Sequence, residues 1–238
     1  MHDSAVVRLL GDQLYWYPPG RGVEPIPLDD LEQQNQLLDV LKARRSPVIF
    51  AVPGADVRLQ EVRFSASEKR HISKSLPFLL EEEFVSDIED MHIASMPLDD
   101  EVLAVASSSR DRIEQWQRDL EKLPGIKQWV PESLLLPWRS GEITLVIEGG
   151  QAVVRLGDCE GFSVEADMLP ALLLSVATER LDSVILYGLD QAADTELVPA
   201  AMHDKVQWRN GGYSAALLLG DDASKPLNLL QGEYGPRL

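Results

Sequence analysis

The order of secondary-structure elements in the second half of the chain constrains the fold more than any other feature. From Ser140 to the C terminus, the pattern of apolar residues predicts three strands, then a helix, a strand, a helix, a strand and a helix. The predicted strands are residues 142–148, 151–156, 161–165, 183–187 and 206–208, and the predicted helices are residues 168–179, 193–201 and 213–219. Such an alternation implies a mixed sheet with helices packed on it.

The first half begins in a similar way. Two apolar runs, 5–10 and 13–17, are joined by Gly11 and Asp12, a pair that suits the positive φ angles of a tight hairpin turn. Residues 29–43 have leucines at helical spacing, with Asp29 or Asp30 available as N-cap. Residues 47–52 form an apolar run typical of a buried strand.

A block with a different element order then interrupts this pattern. It predicts a strand at 57–64, a helix opened by a Ser65–Glu68 capping box and kinked or restarted at Pro77, a hairpin of 91–96 with 101–107, and a helix at 110–122. Residues 126–130 and 134–138 then resume the first pattern. We therefore predict a discontinuous first subdomain (1–55 plus 124–140), an inserted α+β subdomain (56–123) and a third subdomain (141–238).

Charge and composition exclude several classes of protein. The 238 residues carry a net charge of −17, so a nucleic-acid backbone or an anionic lipid surface would be repelled. No run of eighteen apolar residues could span a bilayer, and residues 1–4 do not resemble a signal peptide. The single cysteine, Cys159, excludes an intrachain disulfide framework. These features predict that the protein lies in the reducing cytoplasm.

Five strings in order along the chain resemble one known family. They are VPGADVRL at 52–59, LPFLLEEEF at 76–84, DIEDMH at 87–92, VPE at 130–132 and LNLLQGEY at 227–234. Together they are similar to the cytoplasmic domain of type II secretion system protein L. The resemblance covers essentially the whole chain. It implies an α/β, actin-like fold, in which an RNase H-like unit is duplicated and a small α+β subdomain is inserted.

The resemblance also implies a function. Members of this family lie at the cytoplasmic face of the bacterial inner membrane, continue into a transmembrane helix and a periplasmic domain, and have no established ATPase activity. They bind the N-terminal domain of the assembly ATPase, and they reach protein M and other platform proteins through segments that this chain does not contain. On this reading the chain is the soluble cytoplasmic part of such a protein. A second copy of the chain is a further candidate partner.

The turns that would hold a nucleotide in an actin-like fold are degenerate. Such sites need glycines and a carboxylate in the first hairpin of each half, so that backbone N–H groups approach the phosphates and the carboxylate organises the metal. The first hairpin has Arg8 where an acid would be useful and only Gly11 at its tip. The second hairpin offers Glu148, Gly149 and Gly150, and the turn after the central strand offers only Gly188. We predict no useful nucleotide binding and no cofactor.

Other catalytic arrangements are absent from the sequence. There is no nucleophile elbow, no phosphate loop and no dinucleotide fingerprint. The four histidines are scattered without the local spacing of zinc ligands, so no metal site is predicted. The thiolate of Cys159 is disfavoured by the neighbouring Asp158 and Glu160, which argues against a reactive nucleophile. We predict that the chain is not an enzyme.

The candidate partner site is an acidic segment between residues 81 and 90. It contains carboxylates and apolar side chains and no basic residue: Glu81, Glu82, Glu83, Phe84, Val85, Asp87, Ile88, Glu89 and Asp90. Acids around an apolar anchor can attract and then dock a basic partner. The alternative is structural, because Leu76, Leu80, Phe84 and Ile88 have helical spacing and could be core under a solvated acidic face.

Three classes of function therefore stay open. The first is a non-catalytic scaffold that recruits and anchors a cytoplasmic motor, favoured by the resemblance and the degenerate turns. The second is an active actin-like ATPase or sugar-kinase-type enzyme, favoured by the element order alone. The third is a filament-forming actin relative, which concentration-dependent light scattering would detect. Fold alone does not choose among them.

Overall fold

The fold is described from a computed structural model of the chain. The structure describes residues 4–20, 24–43, 48–65, 67–68, 71–81, 84, 86–123, 125–176, 179–220 and 226–235. Within these ranges the backbone forms two five-stranded sheets and one three-stranded sheet. No helix in the described ranges has both the length and the apolar content needed to cross a bilayer.

The first five-stranded sheet is built mainly by the N-terminal residues. Its elements are β1 (Ala5–Leu10), β2 (Gln13–Tyr17), β3 (Ile26–Pro27), helix α1 (Leu31–Ala43), β4 (Val48–Val52) and β8 (Gln128–Pro131). The strand order is β3-β2-β1-β4-β8, with β1 antiparallel to β2 and parallel to β4. Gly11 turns the β1–β2 hairpin at a φ of 61°, and the carboxylate of Asp30 accepts the Gln33 N–H to cap α1.

A three-stranded antiparallel sheet forms between β4 and β8 in the chain. Its strands are β5 (Arg58–Arg63), β6 (Met91–Pro97) and β7 (Val102–Ser109), and the same part of the chain forms helix α2 (Ile72–Leu80) and helix α3 (Arg110–Asp119). The strand order is β5-β7-β6. The predicted face of α3 is confirmed: Ile113, Trp116 and Leu120 are buried, and the Ser109 hydroxyl accepts the Arg112 N–H as the N-cap.

The second five-stranded sheet follows the element order predicted from the sequence. Its elements are β9 (Glu142–Glu148), β10 (Gln151–Arg155), β11 (Gly161–Glu165), α4 (Leu169–Leu173), β12 (Ser183–Gly188), α5 (Gln191–Glu196), β13 (Val206–Asn210) and α6 (Tyr213–Leu217). The strand order is β11-β10-β9-β12-β13. The apolar β12 lies between β9 and β13 and is parallel to both of them.

The two large sheets have the same topology. Each sheet begins with an antiparallel meander of three consecutive strands. Two further strands are then added on the other side of the first strand of the meander, and both are parallel to it. This repeat of one RNase H-like unit, with a smaller α+β unit between β4 and β8, is the actin-like fold. The strands of the three-stranded sheet all lie within residues 56–123, which supports the three-part division of the chain, and that division stays our proposal.

Several local predictions are wrong at the level of helices and turns. Of the helix predicted at 168–179, the described residues form only the five-residue α4, in which Pro170 lies in the first turn. The backbone N–H and the hydroxyl of Ser65 both donate to Glu68, but α2 begins at Ile72, so the pair closes a turn ahead of the helix. Helix α2 continues through Pro77, with Leu76 and Leu80 buried on either side, so it does not restart there, and a kink at the proline stays a prediction.

Three buried apolar clusters hold the sheets together. The largest joins the first sheet, α3 and the end of the chain, and includes the edge-to-face aromatic rings of Phe50, Trp116 and Trp129. The second lies within the second five-stranded sheet and its helices. The third, smaller cluster packs α2 on the three-stranded sheet through Leu76, Leu80 and Val105.

Candidate functional site

A cleft of about 940 Å³ opens between the first hairpins of the two large sheets. The β1–β2 hairpin lines it from one side with Arg8, Gly11 and Asp12, and the β9–β10 hairpin lines it from the other with Glu148 and Gly149. The turn after β4, the helix α3 and Glu132 complete its wall. In an actin-like fold this is the position in which a nucleotide's phosphates would have to be held, so the side chains that line the cleft determine whether a nucleotide can bind.

The cleft wall contains a buried ion pair between Arg8 and Glu132. Arg8 Nε lies 2.6 Å from Glu132 Oε2, although the two residues are 124 positions apart in the sequence. Both residues are only 5% exposed. Burial is the largest single effect and lowers the pKa of the Arg8 guanidinium, but Glu132, Tyr213 and Tyr17 together outweigh it, and the pKa is raised above its ordinary value. Arg8 is therefore a permanent cation that is already paired.

The Glu132 carboxylate accepts three hydrogen bonds within the protein, out of about four that a carboxylate can accept. Its Oε1 accepts the Gly54 N–H at 2.9 Å and the Ser163 hydroxyl at 2.7 Å, while Oε2 accepts from Arg8. Gly54 follows β4, and Ser163 belongs to β11 of the second large sheet. One carboxylate thus joins two sheets, and most of its lone pairs are used within the protein, which leaves little for a metal ion or a water ligand.

Tyr213 encloses Arg8 from the second large sheet's side. The guanidinium carbon of Arg8 lies 4.0 Å from the centre of the Tyr213 ring, a cation–π contact, and the Tyr213 hydroxyl donates to the Glu132 carbonyl oxygen at 2.7 Å. Tyr213 is fully buried, and burial raises the pKa of its hydroxyl well above the ordinary value. The tyrosine stays neutral and fixes the cation in place.

Glu148 comes from the opposite hairpin and is directed at the same group. Its Oε2 lies 3.7 Å from Arg8 NH1 and accepts the Tyr213 N–H at 3.4 Å. A Cβ at Gly212 would lie 1.9 Å from Glu148 Oε1, so the carboxylate occupies the space that this glycine leaves. Glu148 is the closest match in the sequence to the carboxylate of a phosphate-binding turn. In the structure it faces Arg8 and the start of α6.

The other charges of the cleft are also unfavourable for a triphosphate. Its described lining carries five carboxylates and two guanidinium groups. The second guanidinium, Arg112, is itself paired, with its Nε 3.2 Å from Asp56 Oδ1. Each of the two cations in this lining therefore has a carboxylate partner, and the net field of the cleft repels a polyanion.

The structure brings together only some of the predicted turns. Gly11, Glu148 and Gly149 line the same cleft, whereas Gly150 and Gly188 are not among its lining residues. A Cβ at Gly188 would lie 1.9 Å from Asp194 Oδ2, and that carboxylate accepts the Asp190 N–H at 3.0 Å. The turn that would contact an adenine is thus closed by a buried acid from α5.

The described histidines and Cys159 are not among the lining residues of this cleft. His92 Nε2 donates to the Leu229 carbonyl and His203 Nε2 to the Val198 carbonyl, while His2 is outside the described residues. Within the part of the chain that the structure describes, no three ionisable side chains come together as metal ligands. Burial, followed by the charge of Asp158, raises the pKa of Cys159 to about 11, so like charge is the smaller of the two causes.

The acidic segment lies beside α2 and the three-stranded sheet. Glu81, Asp87, Glu89 and Asp90 are exposed, while Glu82, Glu83 and Val85 are outside the described residues. Phe84 and Ile88 are half-buried, and Phe84 packs against the small apolar cluster of α2. The structural interpretation of Phe84 therefore has support, and the carboxylates remain available to solvent.

The exposed apolar residues of this region are different from the predicted ones. Phe78 is 72% exposed and Leu79 is 46% exposed, although both lie in α2 beside the buried Leu76 and Leu80. A signal for this existed in the sequence, because Leu76 and Leu80 four residues apart fix the buried face of a helix and leave residues 78 and 79 outside it. We call Phe78, Leu79, Glu81, Asp87, Glu89 and Asp90 the α2 surface.

Comparisons with known proteins give a consistent result. The model of the family described as type II secretion system (T2SS), protein L matches residues 28–237. Type II secretion system protein L of Dickeya chrysanthemi is 26% identical over 194 residues, which cover 80% of this chain and 46% of that protein. The protein L of Vibrio cholerae serotype O1 is 26% identical over 199 residues, which cover 81% and 47%. The chain spans about half the length of these curated relatives.

One solved structure is similar over almost its whole length. It is the cytoplasmic domain of EpsL, an inner membrane component of the type II secretion system of Vibrio cholerae, with a TM-score of 0.69. The match covers 97% of this chain and 99% of that one at 20% sequence identity. At this identity the likeness concerns the fold, and it agrees with the duplicated topology of the two large sheets.

Proposed function

The chain belongs to the type II secretion system protein L family, and from that premise we propose that it is the cytoplasmic part of an inner-membrane secretion component. In this proposal it is a non-catalytic scaffold that recruits and anchors the assembly ATPase by binding the N-terminal domain of that enzyme. Protein M and other platform proteins would be reached through parts of the protein outside these 238 residues, since the relatives are about twice as long.

The observation that carries the non-catalytic part of the proposal is the paired state of Arg8. Actin-like enzymes bind phosphates and a metal between their two first hairpins, and here that position holds an arginine bonded to Glu132, packed on Tyr213 and approached by Glu148. Because the charge of Arg8 is already neutralised by a carboxylate of the protein, it is not available to bind a phosphate group. The outer surface of the protein is then the part that can bind a partner.

The α2 surface is the part of the described chain that best fits a docking site for the motor. Phe78 and Leu79 offer exposed apolar anchors, and the turn that carries Glu89 and Asp90 contacts α2. The nearby Arg110, which donates to the Glu89 carbonyl, is already paired with Glu233. Such a patch fits a partner that has an apolar pocket with a basic rim. The acidic excess of the whole chain would add long-range attraction for a basic partner.

Binding of the isolated N-terminal domain of the assembly ATPase, measured by titration calorimetry, tests this proposal. Phe78→Ala should weaken binding about thirtyfold or more, because a desolvated aromatic anchor typically contributes at least about 2 kcal/mol. The matched control is Leu174→Ala, since Leu174 is 73% exposed on the second large sheet's side. No binding by the wild-type chain would contradict the recruiting function, and equal affinities for both variants would remove Phe78 from the interface.

Charge reversal tests the acidic part of the same surface. Glu81→Lys/Glu89→Lys should weaken binding of the motor domain and reduce its dependence on salt, because two attractive carboxylates become repulsive. Glu179→Lys/Glu196→Lys provides the control, with the same change of charge at two exposed residues of the second large sheet's side. Equal weakening by both variants would indicate long-range attraction by the whole chain and not a specific acidic contact.

The element order alone favours a second candidate, an active actin-like ATPase or sugar-kinase-type enzyme. It would require Arg8 to exchange Glu132 for a phosphate group and a metal to bind among carboxylates that already have partners. The nucleotide titration described at the end of the Discussion separates this candidate from the scaffold.

A further inference from the structure

Residues 227–234 lie across the edges of two different sheets. The strand order leaves β8 at one edge of the first large sheet and β6 at one edge of the three-stranded sheet. An uncovered strand edge exposes unpaired backbone N–H and C=O groups, which proteins normally pair or cover. Here one short segment near the end of the described chain covers both edges at once. We call residues 227–234 the strap.

The strap covers the edge of the first large sheet at β8. The Trp129 N–H donates to Asn228 Oδ1 at 2.9 Å, and the Leu229 N–H donates to the Trp129 carbonyl at 2.9 Å. Asn228 Nδ2 also donates to the Lys127 carbonyl at 3.0 Å. The side chains of Leu227 and Leu229 are buried in the largest apolar cluster. This end of the strap is therefore held by both hydrogen bonds and apolar packing.

Two residues later, the same strap pairs with β6 through one side chain. Gln231 Oε1 accepts the Ser95 N–H, and Gln231 Nε2 donates to the Ser95 carbonyl, both at 3.0 Å. The amide side chain thus takes both hydrogen bonds that a neighbouring strand would make with Ser95. It joins positions 136 residues apart in the sequence.

Three further contacts hold the strap on the three-stranded sheet. Buried His92 of β6 donates to the Leu229 carbonyl at 2.6 Å, and its ring meets that of Tyr234 edge to face at 4.8 Å. Glu233 forms an ion pair with Arg110 at the start of α3. The strap therefore contacts β6, β8 and α3 within eight residues.

We propose that the strap fixes the orientation of the three-stranded sheet relative to the first large sheet. Since α2 packs on the three-stranded sheet through Leu76 and Leu80, the strap also sets the direction in which the α2 surface faces. This last step rests on the proposed function of that surface. The orientation itself does not, because it depends only on contacts within the chain.

The proposal predicts that the two ends of the strap can be released separately. In Gln231→Ala the Ser95 amide should exchange its hydrogen about tenfold faster, whereas the Trp129 amide, bonded to Asn228, should keep its protection. In Asn228→Ala/Gln231→Ala both amides should exchange faster. The matched control is Asn35→Ala/Gln36→Ala, the same two substitutions at exposed positions of α1.

A distance measurement tests orientation directly. Spin labels at Glu32→Cys on α1 and Glu101→Cys in the β6–β7 turn report the separation of the two sheets by pulsed electron resonance, and both positions are exposed. Cys159 is buried with its pKa raised to about 11, so it should not compete for the label. The distance distribution should be narrow in the wild-type and control backgrounds, and broader or shifted in both strap variants.

The outcomes separate the strap from the scaffold function. Faster Ser95 exchange together with a changed distance distribution in Gln231→Ala supports the strap. Unchanged exchange, or faster exchange with an unchanged distance distribution, overturns it, since the strap would then only cover strand edges. If the motor's N-terminal domain binds neither wild-type nor variant chain, the proposed function fails while the distance and exchange results for the strap still stand.

Discussion

Replacing Arg8 with methionine is expected to destabilise the folded chain by about 3–5 kcal/mol, the usual cost of removing one partner from a buried ion pair. Methionine keeps much of the side-chain volume, but the Glu132 carboxylate would be left as a buried charge. Gly54 N–H and the Ser163 hydroxyl would be its remaining donors. Urea unfolding followed by circular dichroism measures the change in the free energy of unfolding.

Two further variants serve as the control and as the partial rescue for this prediction. Arg63→Met removes an exposed arginine of β5 and should change the free energy of unfolding by no more than about 0.5 kcal/mol. Arg8→Met/Glu132→Gln removes the stranded charge and keeps an amide oxygen as acceptor, so it should be more stable than Arg8→Met alone. If Arg8→Met costs no more than Arg63→Met, the buried ion pair between Arg8 and Glu132 does not stabilise the fold.

Replacing Trp116 with alanine should destabilise the chain by a similar amount, about 3–5 kcal/mol. The indole is 1% exposed and lies 6.1 Å from the Phe50 ring and 6.4 Å from the Trp129 ring, both edge to face. Its loss leaves a cavity between α3 and the strands β4 and β8, and removes two aromatic contacts. The same unfolding measurement reports the change.

The neighbouring exposed residue supplies the control for this variant. Gln117→Ala lies on the same helix but outside its buried face, so it should be close to neutral. A cost for Trp116→Ala below about 1 kcal/mol would mean that α3 does not anchor the three-stranded sheet to the first large sheet, contrary to the packing described above.

Periodicity predicted the strands and hairpins well, because these depend on local pattern. The Gly11 turn, the β9–β10–β11 meander and the apolar β12 follow from apolar runs and turn residues within a few positions of each other. The two-residue strand β3 was missed, since a run of prolines at 25 and 27 gives no strand pattern although Ile26 pairs with Trp16. The short α4 was overextended because apolar residues continue past its end.

The contacts of the cleft could not be predicted in the same way. The sequence indicates that Arg8 stands where an acid would be useful, but its partner Glu132 is 124 residues away, and only the pairing of β1, β4 and β8 in one sheet brings them together. Tyr213 and Ser163, which complete the network, carry no local signal at all. The acidic segment was visible in the sequence, whereas the exposure of Phe78 depended on which face of α2 is buried.

Titration of the wild-type chain with magnesium ATP tests the central claim most directly. Because the cations of the cleft are paired with Glu132 and Asp56 and its lining is predominantly acidic, we predict no binding heat up to millimolar nucleotide. Magnesium-dependent binding with micromolar affinity would contradict the account and favour an active actin-like enzyme.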